Sequence, residues 1–198
     1  MNPSESLWLK QALQGDDDAF AALVEAYQRP VYNLCYRMLG NSEQEAEDAA
    51  QETFWRAYQA LRRYDPQRSF VTWLLSIAAH YCIDQQRRRR IPLTSIDDLL
   101  EETLPCPASN PETLTGQAQE AEALRNLLQD LSPTDRAAVI LRYWYDFSEE
   151  EIARTLSLSV SAVKSRLHRA RLTLAQRWQA THSQTPLVGR RQHESPAF

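Results

Sequence analysis

SEEEIARTLSLSVSAVKSRLHRAR, residues 148–171, is the stretch on which the fold reading turns. It opens on Ser148 with Glu151 three places on, the pairing in which a cap residue and the third helical residue satisfy each other's backbone N–H groups. Ile152, Ala153 and Leu156 follow at helical spacing, Ser157-Leu158-Ser159 interrupts, and Val160, Val163, Leu167 and Leu174 resume the apolar stripe. Two helices joined by a three-residue turn make a helix-turn-helix. Its second helix carries Lys164, Ser165, Arg166, His168, Arg169 and Arg171 around the Val163/Leu167 seam. Such a face suits the major groove: Arg and Lys pair with guanine edges or phosphates, Ser with base edges or backbone, and the amino-terminal amides of the helix add phosphate affinity.

Upstream, Ser132-Pro133 with Asp135 reads as an N-cap followed by proline at the first helical position, and helical signals begin near Gln119. Residues 91–118 hold Pro92, Pro105, Pro107 and Pro111 among acids, Ser and Thr, the composition of a linker. Before it, an apolar stripe of Phe20, Leu23, Val24, Tyr27, Val31, Leu34, Cys35 and Met38 predicts a helix from about Ala19 to Leu39, stopped by Gly40. Ser42 with Glu45 predicts a capping box opening a second helix to about Leu61, with Ala46, Ala49, Ala50, Phe54, Ala57 and Leu61 inward. A turn at Asp65-Pro66 precedes a third helix, Ser69 to about Arg89, with Phe70, Trp73, Leu74, Ile77 and Tyr81 on one face. Gly is scarce, at 4 residues, and no long stretch alternates with period two, so the expected class is all-α. The domains expected are 1–90, a linker 91–118, a helix-turn-helix domain 119–178 and an unstructured tail 179–198.

The net charge of −4 conceals segregation along the chain. Residues 1–60 carry 4 basic and 10 acidic groups, 62–90 carry 7 and 2, 91–135 carry 1 and 9, and 136–178 carry 8 and 4. Two basic blocks separated by acidic ones fit two anion-binding surfaces with protein-facing acidic surfaces between them. In the first basic block, Arg62, Arg63, Arg68 and the run Arg87 to Arg90 make a candidate phosphate track. Thr72, Ser76, His80 and Arg87 fall opposite the Phe70/Trp73/Ile77/Tyr81 face, and Tyr64, Phe70 and Trp73 can either stack unpaired bases or pack a core. The acids Glu43, Glu45, Glu47, Asp48 and Glu52, with Gln51, make either a solvated face or a surface for an arginine-bearing protein.

Nothing points to an enzyme or a cofactor. The four histidines, at 80, 168, 182 and 193, have no metal-ligand spacing, and no glycine loop could cradle phosphate. Cys35, Cys82 and Cys106 lack a CxxC pair and are expected to be reduced, mostly buried thiols. No stretch approaches the roughly 20 apolar residues of a membrane span and the amino terminus lacks a leader pattern, so a cytoplasmic protein without membrane insertion is expected.

Three segments in this order resemble the extracytoplasmic-function group of the sigma-70 family. They are Asp48-Ala-Ala-Gln51-Glu52-Thr-Phe54, then Phe70-Val-Thr-Trp73-Leu-Leu-Ser-Ile-Ala-Ala-His80-Tyr-Cys-Ile-Asp84 ahead of the arginines, then Val163-Lys-Ser-Arg-Leu-His-Arg-Ala-Arg171. The resemblance covers about residues 15–178 and implies a sigma subunit that binds core RNA polymerase and directs promoter recognition, melting and initiation. By it, Asp48, Gln51 and Glu52 fall where the family grips the beta-prime coiled coil. Arg62, Arg63, Arg68, Thr72, Ser76, His80 and Arg87 fall in the segment that captures and melts the minus-10 element. Lys164, Ser165, His168 and Arg169 fall on the helix that reads the minus-35 element, with Arg166 and Arg171 in backbone contact or support. The polymerase beta flap and an anti-sigma factor are further implied partners. Asp97, Asp98, Glu101 and Glu102 fall in a linker that threads the polymerase cleft on a path meant for RNA. The chain departs from the family at His80, where Asn is common, at Ser76 and Ala79, where Arg is common, and at Ser157, where Gly is usual. The reading set against this one is a stand-alone helix-turn-helix regulator using residues 1–90 to sense a ligand or dimerise.

Overall fold

The computed structural model describes residues 3–40, 42–66, 68–90 and 116–182. Among the described residues there are eight α-helices, one 3-10 turn and no strand: α1 (Pro3–Leu13), α2 (Asp17–Leu39), α3 (Glu43–Ala60), a 3-10 turn (Leu61–Arg63), α4 (Phe70–Arg90), α5 (Gly116–Gln129), α6 (Pro133–Trp144), α7 (Glu149–Thr155) and α8 (Val160–His182). No helix among them is long and apolar enough to cross a membrane.

The amino-terminal helices form where the apolar stripe and its stops placed them. Asp16 caps α2 by accepting from the Ala19 amide at 3.1 Å, and Gly40 ends it in the left-handed conformation (φ 83°). The stripe Leu23, Val31, Leu34, Cys35 and Met38 is buried; each large apolar side chain so enclosed contributes about 1.5–3 kcal/mol. Ser42 caps α3 by accepting from the Glu45 amide at 3.2 Å. In place of the return bond of a full capping box, the Glu45 carboxylate meets Arg89 at 2.6 Å, fastening the start of α3 to the end of α4. Helix α1 was not anticipated, although Leu9 and Ala12 supply its buried side against α2.

Cys35 and Cys82 are both fully buried, and the hydrogen bond between them, with burial, pushes the Cys82 thiol well above its ordinary range. Their burial agrees with expectation; Cys106 lies outside the described residues.

The carboxy-terminal helices follow their caps. Ser132 accepts from the Asp135 amide at 3.2 Å with Pro133 in the first turn of α6. At α7 the Ser148/Glu151 box is complete: Glu151 N–H donates to Ser148 Oγ at 3.2 Å, and Ser148 N–H donates to Glu151 Oε2 at 2.8 Å. Two boundaries differ from expectation. Helix α5 starts at Gly116, inside the expected linker, and α8 continues to His182, so residues 179–182 are helical rather than tail. The rest of the linker and tail lies outside the described residues.

The two groups of helices pack on one another. Helix α4 lies against α2 and α3 and also against α6 and α7, and α2 touches α6. Arg136 of α6 is 2% exposed, and its guanidinium donates to Leu128 O at 2.8 Å, Gln129 O at 2.9 Å and Met38 O at 2.5 Å. It thus ties together the carboxy-terminal ends of α5 and α2. Both ends carry partial negative charge from orphan carbonyls, so a buried cation between them offsets a repulsion.

Candidate polymerase and nucleic-acid interfaces

Helix α3 presents Asp48, Gln51 and Glu52 on one side, one turn apart, because its alanines occupy the other: Ala46, Ala49 and Ala57 are fully buried. Gln51 is exposed; Asp48 accepts from Gln44 Nε2 at 3.3 Å and Glu52 pairs with Arg56 at 2.6 Å. Beside these groups runs an apolar groove between α2 and α3, lined by Phe20, Val24, Gln51, Phe54, Trp55 and Tyr58. Trp55 is 57% exposed and its ring stacks on Tyr58 at 6.4 Å. The sequence reading passed over Trp55 and Tyr58. Aromatics immediately after the acidic run were the available signal, since Trp and Tyr anchor protein interfaces.

The first basic block does not form one continuous track. Arg62 and Arg63, in the 3-10 turn, and Arg68 gather near the start of α4 and are exposed, Arg68 lying 3.7 Å from Asp65. Arg87 lies 17 residues beyond Phe70 on α4, about 26 Å along the axis at about 1.5 Å per residue, and 3.9 Å from Asp84. Arg89 is engaged with Glu45.

Between the two basic groups, Thr72 and Ser76 are half-buried and His80 is exposed. Ser76 Oγ donates to Trp73 O at 2.6 Å, and His80 Nδ1 lies 2.8 Å from Ser76 O. Of the three candidate stacking aromatics, Tyr64 and Phe70 are buried, their rings 5.6 Å apart edge-on; they serve the core. Trp73 is half-buried and opens, with Arg68, Thr72 and Ser76, into a cleft closed on its far side by Glu151, Arg154 and Thr155 of α7.

On α8 the Val163, Leu167 and Ala170 seam is buried, which turns Lys164, Ser165, His168, Arg169 and Arg171 outward. Ser159 caps the helix by accepting from the Ala162 amide at 3.2 Å. Arg166 stands apart from that exposed set: it is half-buried and donates to Asp135 Oδ1 at 2.8 Å, bracing α8 against α6. Arg171 bonds Leu167 O of its own helix at 3.3 Å, and Lys164 lies 3.4 Å from Glu149 of α7. The turn before α8 is held by Ser157 at φ 54°, the left-handed region in which glycine is unstrained.

Known proteins share both halves of this arrangement. The family model for sigma-70 region 2 matches residues 23–91, and that for sigma-70 region 4 matches residues 121–174. The ECF RNA polymerase sigma factor SigW of Bacillus subtilis is 36% identical over 174 residues, covering 84% of this chain and 92% of that protein. Among solved structures, CnrH in complex with the cytosolic domain of CnrY aligns over 90% of this chain and 99% of that one, with a TM-score of 0.65 and 25% identity. The sigma factor RpoE of Bartonella quintana, in complex with the anti-sigma factor NepR, shares the fold at a TM-score of 0.63 and 21% identity over 81% of this chain and 96% of that one. With an acidic helix, a basic helix and a helix-turn-helix in the family's order, and a relative matched over nearly its whole length, the chain belongs to the sigma-70 family of RNA polymerase sigma factors, in the extracytoplasmic-function group.

Proposed function

We propose a division of labour among the three surfaces of this sigma factor. The α3 face, with Asp48, Gln51 and Glu52, takes the beta-prime coiled coil of core polymerase, and the Trp55/Tyr58 platform beside it supplies the apolar anchor of the same contact. Carboxylates alone give orientation and on-rate; a desolvated aromatic centre gives the residence time. The face of α4 bearing Thr72, Ser76 and His80, flanked by Arg62, Arg63 and Arg68 at one end and Arg87 at the other, receives the minus-10 element. Trp73 is its stacking aromatic. The outward face of α8, with Lys164, Ser165, His168 and Arg169, reads the minus-35 element, Arg171 lies at the backbone, and Arg166 keeps the helix at its angle through Asp135.

The linker acids Asp97, Asp98, Glu101 and Glu102 occupy the RNA path, and the beta flap holds the carboxy-terminal domain. The protein acts as a cytoplasmic binding subunit rather than a catalyst, and an anti-sigma factor is its regulator. The observation carrying this reading is the segregation of one acidic-aromatic face from two basic ones on separate helices, because a stand-alone regulator has no use for the first. Run-off transcription with purified core polymerase over a genomic library tests it. Specific start sites that depend on the added chain are expected, and duplex binding without any polymerase association would install the stand-alone regulator instead.

A further inference from the structure

Two polar side chains at the centre of the α4 face, Ser76 and His80, spend their protons on their own helix. Ser76 Oγ donates to Trp73 O at 2.6 Å. His80 Nδ1 lies 2.8 Å from Ser76 O, and because a backbone carbonyl only accepts, Nδ1 is the nitrogen that carries the proton. The helix backbone thus sets the tautomer of the neutral ring. Its Nε2 is left as a bare acceptor on an exposed side chain. Ser76 Oγ, one turn away, likewise has its proton committed and offers only lone pairs to the cleft it lines.

A pair of acceptors selects donors, and unpaired bases differ in what they donate. Adenine, cytosine and guanine each carry an exocyclic amino group, whereas thymine carries none. We propose that His80 Nε2, with Ser76 Oγ beside it, selects a non-template base of the minus-10 element that bears an exocyclic amino group and rejects thymine at that position. Thymine would set a carbonyl oxygen against Nε2, lone pair to lone pair, so the selection is repulsive as well as attractive. An asparagine at this position, common in the family, offers a donor beside its acceptor and carries no such restriction. The inference rests on the assignment of this face to the minus-10 element given above.

Acid turns the acceptor into a donor. A histidine takes up its second proton between about pH 8 and about pH 5; Nε2 then carries hydrogen, and the ring favours phosphate or carbonyl oxygens instead of amino groups. The charged groups near this side of α4 are Asp84 and Arg87, one and two turns on and 3.9 Å from each other, and Glu151 and Arg154 of α7, which line the cleft with Ser76. Helices α2, α3 and α6 meet α4 on other sides, with Cys35 against Cys82, Arg56 over Tyr81 and Trp144 beside Val71.

The test titrates holoenzyme, assembled from core polymerase and the full-length chain, against fork-junction DNA built on a start site recovered by run-off transcription. Each base of the exposed non-template strand is replaced in turn by thymine and, where it bears an amino group, by its deamino counterpart: purine for adenine, pyrimidin-2-one for cytosine, hypoxanthine for guanine. At one position both replacements should weaken binding about threefold to tenfold, the effect of one hydrogen bond lost. His80→Asn should accept thymine there nearly as well as the amino-bearing base, and His80→Ala should lose the discrimination. Neither should alter the salt slope, because no phosphate contact is removed. His80 is exposed, so both variants should match the unaltered chain in circular dichroism and melting temperature. Going from about pH 8 to about pH 5.5 should erase the preference of the unaltered holoenzyme and leave that of His80→Asn unchanged. Equal binding of amino-bearing and deamino bases at every position overturns the proposal, and so does a preference that survives His80→Ala. A chain that forms no holoenzyme with specific start sites overturns the functional reading first, and this inference with it.

Discussion

Lys164, on the outward face of α8, holds its ammonium 3.4 Å from the Glu149 carboxylate in the first turn of α7. The charge of a residue proposed to meet DNA is therefore partly neutralised by its own scaffold. With the two side chains 62% and 35% exposed, the pair contributes little to folding, about 0–1 kcal/mol. Its larger effect is on the potential above α8. Glu149→Gln should leave the melting temperature nearly unchanged and tighten binding to a minus-35 duplex by up to about 1 kcal/mol, the energy of releasing an exposed pair. Lys164→Ala should weaken it by about 1–3 kcal/mol if the lysine reads a base, or lower the salt slope by about 1 if it meets phosphate. Anisotropy titrations at several salt concentrations separate the cases, and a Lys164→Ala variant with unchanged affinity and slope removes the residue from the reading face.

The complete box at α7 makes a prediction about acid. Hydrogen bonds from the Ser148 backbone and then its hydroxyl hold the Glu151 carboxyl below its ordinary value of 4.5. A group depressed in the folded state stabilises above its unfolded pKa and loses that contribution as pH falls through the folded one. Helix α7 should therefore loosen only below about the ordinary carboxylate range, and Glu151→Gln should flatten that limb of the stability curve. Ser148→Ala should cost about 1 kcal/mol at neutral pH. Thermal melts of the variants from neutral to acid pH check both, and parallel curves for the Glu151→Gln and unaltered chains would deny the box its charge-assisted part.

Those caps were legible in the sequence because they are local: Ser132/Asp135 and Ser148/Glu151 each obey a rule spanning three residues. The stripes on α2 and α3 were legible for a similar reason, since 3.6-residue periodicity survives any tertiary arrangement. What was not legible depends on distant partners. Arg136 reads as one more surface arginine until Met38, 98 residues away, supplies a carbonyl to it. Trp55 and Tyr58 carry the same apolar signal as a core residue, and only the closure of α2 on α3 decides that they face outward. Arg166, read as one of the basic groups near DNA, acquires its bracing role only from Asp135 on another helix. Thr72, Ser76, His80 and Arg87 were read from helical spacing as one face of α4, but the cleft that Thr72 and Ser76 share with Glu151, Arg154 and Thr155 of α7 belongs to packing that no pattern within one helix encodes.

The left-handed turn at Ser157 stores removable strain. An L-residue other than Gly at φ 54° costs about 1–2 kcal/mol, and Ser157 is exposed, so no packing opposes its replacement. Ser157→Gly should stabilise the helix-turn-helix by about 1 kcal/mol, the relief of strain being reduced by the greater freedom of glycine in the unfolded chain. Ser157→Val should destabilise it, because a β-branched side chain tolerates this region worst. Denaturant midpoints with unchanged slopes measure both, and equal midpoints for Gly, Ser and Val would mean that the turn relaxes freely in solution.

The acidic and aromatic parts of α3 separate by their kinetics. Asp48, Gln51 and Glu52 lie on the solvent side of a helix whose buried side is alanine, so Asp48→Ala, Gln51→Ala and Glu52→Ala together should leave the fold intact and abolish pull-down of core polymerase. Loss of the Glu52–Arg56 pair costs at most about 1 kcal/mol, too little to unfold the domain. Trp55→Ala, at a position 57% exposed, should likewise spare the fold but cost about 2 kcal/mol or more of polymerase affinity, the signature of an interface anchor. Exposed charges act mainly through encounter, so singly removing Glu52 should lower the association rate and its salt dependence, whereas removing Trp55 should raise the dissociation rate. Surface plasmon resonance with immobilised core polymerase distinguishes the two. If Trp55→Ala dissociates no faster than the unaltered chain, the aromatic platform lies outside the polymerase contact, and the acids alone would have to hold the complex.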